Sequence, residues 1–330
     1  VVLQLFWLKN IFVLIIMKYF LFIYLSLFLL NNNNVFSQEK VSYTTVDYTD
    51  KLSPFKLSLT LLGLDAMAPQ AGATVEGVIG KRIGYNVCYR RNLSKYAFIT
   101  NKNYVLNKTD VKFSNYIEGG IDYFLFDKIK DNGSVNVTTS EWVNGNTSYT
   151  KSFKAIVKKR KQKGIHLGLI NYNRMFFTSS DTLEVGNIEF TNDNGKKLKP
   201  QRATYGTNSI NNVLYAGFVF KRVIKSTVSS EGWRYYKHFS RRFYVDVLFG
   251  STTFNNIEVN GVSYTATSSK INPLGYRLGF EWDGMGCVVG FEFGMRPGVQ
   301  YVMPYYNYFN LNFSFNIING DKRYAMKLKK

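Results

Sequence analysis

The sequence predicts an all-β chain. It reads as a transmembrane antiparallel up-and-down β-barrel of 10–12 strands, with eight as the alternative count, preceded by a cleaved signal peptide. Three observations carry this expectation. Apolar and polar residues alternate with period two through most of the chain, the polar face holds glycine and charges of both signs, and a short apolar segment of export type stands near the start. Successive side chains of a strand point to opposite faces, so such alternation gives each strand one apolar and one polar side. A sheet that crosses a bilayer must also close on itself, because lipid offers no partners to edge N–H and C=O groups.

The clearest segment is Phe309-Asn310-Leu311-Asn312-Phe313-Ser314-Phe315-Asn316-Ile317. Phe309, Leu311, Phe313, Phe315 and Ile317 form its apolar face, expected to meet lipid as the last strand. Upstream, the same pattern marks strands over residues 55–61, 73–79, 83–89, 117–125, 165–169, 214–220, 243–249, 274–282 and 287–295. A weaker pair spans residues 134–158 around the hairpin signal Asn144-Gly145-Asn146. Gly80-Lys81-Arg82 and Asp283-Gly284-Met285-Gly286 read as short turns. An even strand count puts both termini on one side. Both turns then fall on the periplasmic side, and the long polar segments 92–112, 176–211 and 255–270 on the extracellular side.

Composition agrees with strands. The 330 residues include 24 Tyr and 27 Phe but only 6 Pro, a bias toward residues that suit a pleated surface. The formal charge is +20. Much of the excess is lysine in polar stretches, and an exported barrel would not meet nucleic acid, so that partner is set aside. Attraction to anionic lipid or lipopolysaccharide phosphates is the alternative use of the charge. Two cysteines are too few for a disulfide scaffold. Alternation puts Cys88 on a polar face and Cys287 on an apolar one, so no bridge is expected.

Met17-Lys18, an apolar run over residues 19–30 and Val35-Phe36-Ser37-Gln38 have the order of a secretory signal, with cleavage expected between Ser37 and Gln38. A retained helix over residues 11–30 is the alternative, interrupted by Lys18. The expected organisation is an extension upstream of the true start (1–16), a signal peptide (17–37), a polar lead-in (38–53), the barrel (54–318) and a basic tail (319–330).

A soluble sandwich or lipocalin-like barrel would turn its apolar face inward. Glycine recurs on the polar face at Gly275, Gly279, Gly290 and Gly294, as a crowded interior requires. That face also mixes signs, with Glu76, Arg90, Glu118, Asp122 and Asp246 followed by Arg277, Glu281, Glu292 and Arg296. Charges of both signs can pair across a narrow lumen, as a structural network or as a pore lining. Tyrosine tends to lie near strand ends, where interfacial girdles form.

With these residues in view, the chain resembles the outer-membrane β-barrel proteins of Bacteroidota. The resemblance is carried by Val35-Phe36-Ser37-Gln38, by Gly-Tyr-Arg-Leu-Gly-Phe-Glu-Trp at 275–282, by Gly-Phe-Glu-Phe-Gly at 290–294 and by the terminal Asn-Leu-Asn-Phe-Ser-Phe. It implies residence in the outer membrane and insertion by the barrel assembly machinery. It does not imply one activity, since the fold hosts pores, adhesins, enzymes and secretion parts. The tail from Gly320 departs from barrels that end on the aromatic of the last strand.

No catalytic constellation stands out, and no cofactor or metal is expected. His166 is expected to point into the lumen, and His238 to sit in the Tyr235-Tyr236-Lys237-His238 connection. His166 could meet Asp122 or Glu118 only if strand register allowed it. Ser53-Pro54-Phe55-Lys56 matches a Ser-x-x-Lys string, but Pro54 precedes a strand rather than a helix. The run Lys158-Lys159-Arg160-Lys161-Gln162-Lys163 reads as a solvated turn or as a contact for anionic lipid or lipopolysaccharide. The expected role is structural, binding or within an envelope complex, through the external loops. A narrow pore or transport barrel is the alternative, and a soluble secreted β-barrel binding a small ligand is the third reading. Expected partners are outer-membrane lipid, lipopolysaccharide, the assembly machinery and other envelope proteins.

Overall fold

The structure is a computed structural model, and it describes residues 42–65, 68–94, 110–144, 147–178, 188–198, 205–230, 233–268, 271–284, 286–299 and 308–319. The predicted upstream extension, the signal peptide, the start of the lead-in and the tail from residue 320 lie outside the described residues.

In chain order the strands are β1 (Thr44–Asp47), β2 (Lys56–Asp65), β3 (Ala68–Ile79), β4 (Ile83–Asn92), β5 (Asn115–Asn144), β6 (Thr147–Thr178), β7 (Ile188–Thr191) and β8 (Tyr205–Ser230). They continue as β9 (Trp233–Phe254), β10 (Ile257–Val259), β11 (Val262–Ser268), β12 (Ile271–Asn272), β13 (Leu274–Gly284), β14 (Cys287–Met295), β15 (Gly298–Val299) and β16 (Tyr308–Asn319). Ten of them, β2, β3, β4, β5, β6, β8, β9, β13, β14 and β16, pair antiparallel with their neighbours in sequence, and β16 returns to β2. The result is a closed ten-stranded up-and-down barrel, with β1 added on β8. Among the described residues no helix is long and apolar enough to cross a membrane, which says nothing about strands.

The chain divides into two compact units. The larger, Tyr43–Val135 with Ala155–Lys330, holds the barrel. The smaller includes Asn136–Lys154 from the β5–β6 hairpin, where Val137 and Phe153 are buried.

Five expectations need correction. Residues 134–158 are not an extra strand pair but continuations of β5 and β6, which run on for 30 and 32 residues. Their alternation is polar on one side and weak on the other, so continuity is hard to see locally. The lead-in contains β1, which is four residues long and owes its shape to pairing with Ser226–Ser229 of β8 rather than to a pattern of its own. The segment 255–270 is not plain loop: β10 and β11 turn at Asn260-Gly261, both at positive φ, and β11 pairs with β7. Asn-Gly is the favoured chemistry for a two-residue hairpin turn. Ile188, Phe190, Ile257, Tyr264 and Ala266 give this small sheet its own apolar core. Finally, the run at 158–163 is strand rather than turn, and His238 lies within β9 rather than in a connection.

The exposed and enclosed faces are partitioned as the alternation requires. Leu214 and Phe218 are 60% and 63% exposed, while Tyr215 between them in register is 3% exposed. On the last strand Phe309, Phe313, Phe315 and Ile317 are exposed and Leu311 is half-buried, with Asn310 and Ser314 enclosed. The interior is not purely polar: Phe124, Val219 and Tyr244 cluster there, as do Tyr116, Ile170, Tyr172, Val213, Tyr215 and Leu248. Cys88 is enclosed, Cys287 is half-buried, and both are free thiols.

The short turns at Gly80 (φ 65°) and Gly286 (φ 88°) lie at the same end as the start of β2 and the end of β16. The connections after β4, β6, β9 and β14 lie at the other end.

Interior glycines make room for large neighbours. A Cβ added at Gly279 would collide with the Tyr244 ring, and Tyr244 is held in place by donating its hydroxyl to Glu292 at 3.0 Å. Gly279→Ala should therefore destabilise the barrel by about 1–3 kcal/mol through overpacking. The check is the urea midpoint of refolded protein, and the double variant with Tyr244→Ala should lose less than the sum of the two singles.

Candidate functional site

The densest constellation of charged side chains is the barrel interior. One row of the sheet runs Arg277 (β13), Asp246 (β9), Gly217 (β8), His166 (β6), each directly opposite the next. Gly217 is the gap in this row. A Cβ there would strike the Val245 carbonyl and the Asp246 carboxylate, so only glycine lets His166 reach Asp246 across β8.

Arg277 is the centre of the site and is 0% exposed. Its Nε donates to Asp246 Oδ2 at 2.9 Å, and its Nη1 donates to Glu118 Oε1 of β5 at 2.8 Å and Glu292 Oε2 of β14 at 3.4 Å. The guanidinium also lies over the rings of Tyr215 at 4.3 Å and Tyr244 at 4.9 Å. A planar, permanently charged fork suits such a position, since it can pair with carboxylates in its plane and stack on rings above and below. β5 and β13 are four strands apart in the ring, so this one side chain bridges the lumen.

His166 is fully enclosed. Arg242 Nη2 lies 3.0 Å from its Nε2, and Asp246 Oδ1 lies 3.0 Å from its Nδ1. Arginine can only donate, so Nε2 accepts and Nδ1 carries the proton toward Asp246. Tyr215 and Tyr244 flank the ring at 4.7 and 5.2 Å. Register does bring His166 Nε2 to within 3.8 Å of Asp122, a meeting the sequence left to chance, whereas Glu118 is taken by Arg277.

Toward the turn end, Arg242 donates to Asp122 at 2.9 Å and to Glu281 at 3.2 Å. Lys56 pairs with Glu76, its cross-strand neighbour, and with Asp283 at 2.9 Å. The Ser-x-x-Lys string thus ends in an ion-paired lysine, and Ser53 donates locally to the Phe55 carbonyl at 3.0 Å. Toward the loop end, Glu292 accepts from Tyr244 at 3.0 Å and from Tyr308 at 2.5 Å, and Arg296 lies 3.8 Å from it. Arg296 covers the Tyr308 ring at 3.9 Å, and Arg90 covers the Tyr116 ring at 4.3 Å with Glu118 3.9 Å away.

All nine sequence-predicted interior residues, Glu76, Arg90, Glu118, Asp122, Asp246, Arg277, Glu281, Glu292 and Arg296, lie on the enclosed face and engage one another or the residues just named. Sequence reasoning missed Arg242, Asp283 and the tyrosines. Arg242 has the parity of Tyr244 and Asp246, so extending that strand by one residue would have found it. Asp283 has the parity of Glu281 but was read as turn.

What the arrangement can do is fill space and neutralise itself. Among the described residues the interior holds cavities of about 60 Å³ beside Lys56 and Glu76 and about 70 Å³ beside Asn86 and Arg90. Each has room for a handful of waters. Among the described residues no group of three or more His, Cys, Asp or Glu side chains is placed to hold a metal ion.

The fold and interior together define a closed ten-stranded antiparallel barrel, apolar outside and ion-paired within. No protein-family model matches the chain, and no curated protein matches it.

Removing Arg277 would leave three enclosed carboxylates without their shared cation. Arg277→Met should cost about 3–5 kcal/mol, read as a lower urea midpoint of the refolded protein. The Arg277→Met, Asp246→Asn double variant should lose distinctly less than the two singles added together.

Proposed function

We propose that this chain is an integral outer-membrane β-barrel with a sealed lumen, serving a structural or binding role in the cell envelope through the surfaces at its two ends. The observation that carries the reading is the partition of side chains. The exposed face is Leu, Ile, Val, Phe and Tyr around the ring, including Val87, Ile121, Leu167, Leu214, Phe249 and Phe315, and the charges that pair with one another across the lumen are inside. In water, an apolar surface encircling the molecule would far exceed the patches soluble monomers tolerate. Against acyl chains it is the favourable arrangement. This counts against a secreted ligand-binding barrel, which would invert the two faces.

The orientation follows the usual asymmetry of such barrels, short turns and termini in the periplasm and long connections outside. The β7–β11–β10 sheet, with its own core, then belongs to the extracellular side. The Bacteroidota resemblance and the expected signal peptide agree with this placement. A pore is the weaker reading, because Arg277 bridges the lumen and the cavities beside Lys56 and Asn86 are water-sized.

The test is carbonate washing of membranes from expressing cells, followed by gel migration with and without heating. The expected result is a carbonate-resistant, heat-modifiable band with no stepwise conductance in planar bilayers. Recovery as a detergent-free soluble monomer would overturn the membrane reading, and steady channels would overturn the sealed lumen. Phe218→Arg, on the exposed face, should cost about 2–4 kcal/mol of bilayer stability and reduce the heat-modifiable fraction, whereas it would be near neutral in a soluble protein.

A further inference from the structure

We infer that the outer face of β5, β6, β8 and β9, at the turn end of the barrel, carries a binding site for the phosphate headgroups of anionic glycerophospholipids. The inference rests on the outer-membrane reading above and names the lipid that reading leaves open.

The register sets out the site. One outward row runs Lys161, Arg222, Arg241, Trp282 across β6, β8, β9 and β13. Two residues further from the turns, the row reads Lys163, Phe220, Phe243, Phe280. Cations therefore give way to aromatics within one repeat of the pleat. On β5 the consecutive exposed residues Leu125 and Phe126 mark a switch of parity. This brings Lys128 and Lys130 outward, and with Phe126, Lys161 and Lys163 they line an open groove of about 310 Å³.

Three observations separate this band from an ordinary solvated charge run. First, every arginine at the centre of the interior has a carboxylate, but among the described residues none of these six cations has an ion-pair partner. Arg222 Nε is buried with no hydrogen-bond partner. Second, the cations crowd together: Lys161, Arg222 and Arg241 stand directly opposite one another on β6, β8 and β9, and Lys128, Lys130, Lys161 and Lys163 line one groove. Like charges opposite one another on a sheet destabilise it unless an anion sits among them. Third, the band borders interfacial aromatics. Arg241 lies over the Phe239 ring at 4.7 Å, Phe239 meets Trp282 edge-on at 6.2 Å, and Lys163 Nζ is 5.9 Å from the Phe220 centroid.

A ligand that satisfies all three is an amphiphile, with phosphate on the lysines and acyl chains on the phenylalanines above. A free phosphate would use only half the site. The termini and short turns share this end, so the facing leaflet is the periplasmic one, made of phospholipid. Of the two partners expected for the basic run at 158–163, anionic lipid and lipopolysaccharide, this placement favours the first, because lipopolysaccharide would face the opposite end.

The experiment uses the full chain refolded into phosphatidylcholine vesicles, with tryptophan fluorescence quenched by brominated phosphatidylglycerol or brominated phosphatidylcholine. The Trp282 component is identified by its loss in Trp282→Phe. Brominated phosphatidylglycerol should quench it at roughly fivefold lower mole fraction. The preference should shrink in about 0.5 M salt, and in Lys161→Gln/Lys163→Gln and Lys128→Gln/Lys130→Gln. If a variant fails to fold, the salt and lipid titrations of the unaltered protein decide. Insertion with equal quenching by both lipids, or a preference for lipopolysaccharide over phosphatidylglycerol, overturns the site and leaves the barrel reading intact. Failure to insert into any vesicle overturns both.

Discussion

Closure of β16 on β2 is the constraint from which the rest follows. An open ten-stranded sheet has two edges and two equivalent faces. Once the last strand pairs with the first, every backbone ladder has a partner and the two faces become an inside and an outside. Period-two alternation then acquires direction. The seam is not a perfect continuation of the neighbouring ladders: its register shifts between Phe313 and Ser314 and between Asn316 and Ile318, and the β2–β3 pairing shifts between Thr60 and Gly63. Leu61 and Leu62 are both exposed as a result. These irregularities bend the sheet where the ring must meet itself.

The interior has to be filled as well as neutralised. Ten strands enclose somewhat more space than the eight that ordinary side chains fill, and here arginine and tyrosine occupy it. Arg277, Arg242, Arg90 and Arg296 each combine a carboxylate partner with an aromatic face. Taking such charges out of water is costly, and pairing them offsets rather than exceeds that cost. The ion pairs therefore specify which strands face one another across the lumen more than they add net stability. Small residues such as Gly217 and Gly279 are part of the same solution, because they let large groups on neighbouring strands approach.

Much of the barrel was legible because one rule, alternation, applied at every strand. All ten segments marked in the sequence correspond to the ten barrel strands, and Gly80 and Gly286 close turns where turns were expected. What was not legible depended on partners distant in sequence. Thr44–Asp47 is a strand only because β8 offers it an edge. His238 and residues 158–163 looked like connections because their polar side chains carry no apolar alternation. His166 could be placed in the lumen, but its pairing with Asp246 required knowing that Gly217 lies between them. Asn260-Gly261 was a readable hairpin signal lost within a polar segment.

Strand length has one more consequence. β8 and β9 stay paired as far as Ser230 and Trp233, whereas the β9–β13 ladder ends at Phe239. Residues 233–238 thus continue past the last rung on that side, by about 20 Å at the usual rise per residue. A uniform cylinder could spin in the plane of a bilayer and look the same to every neighbour. This wall is taller along one arc than along the next, so the molecule has a compass bearing, and whatever sits beside that rim meets one sector rather than any sector.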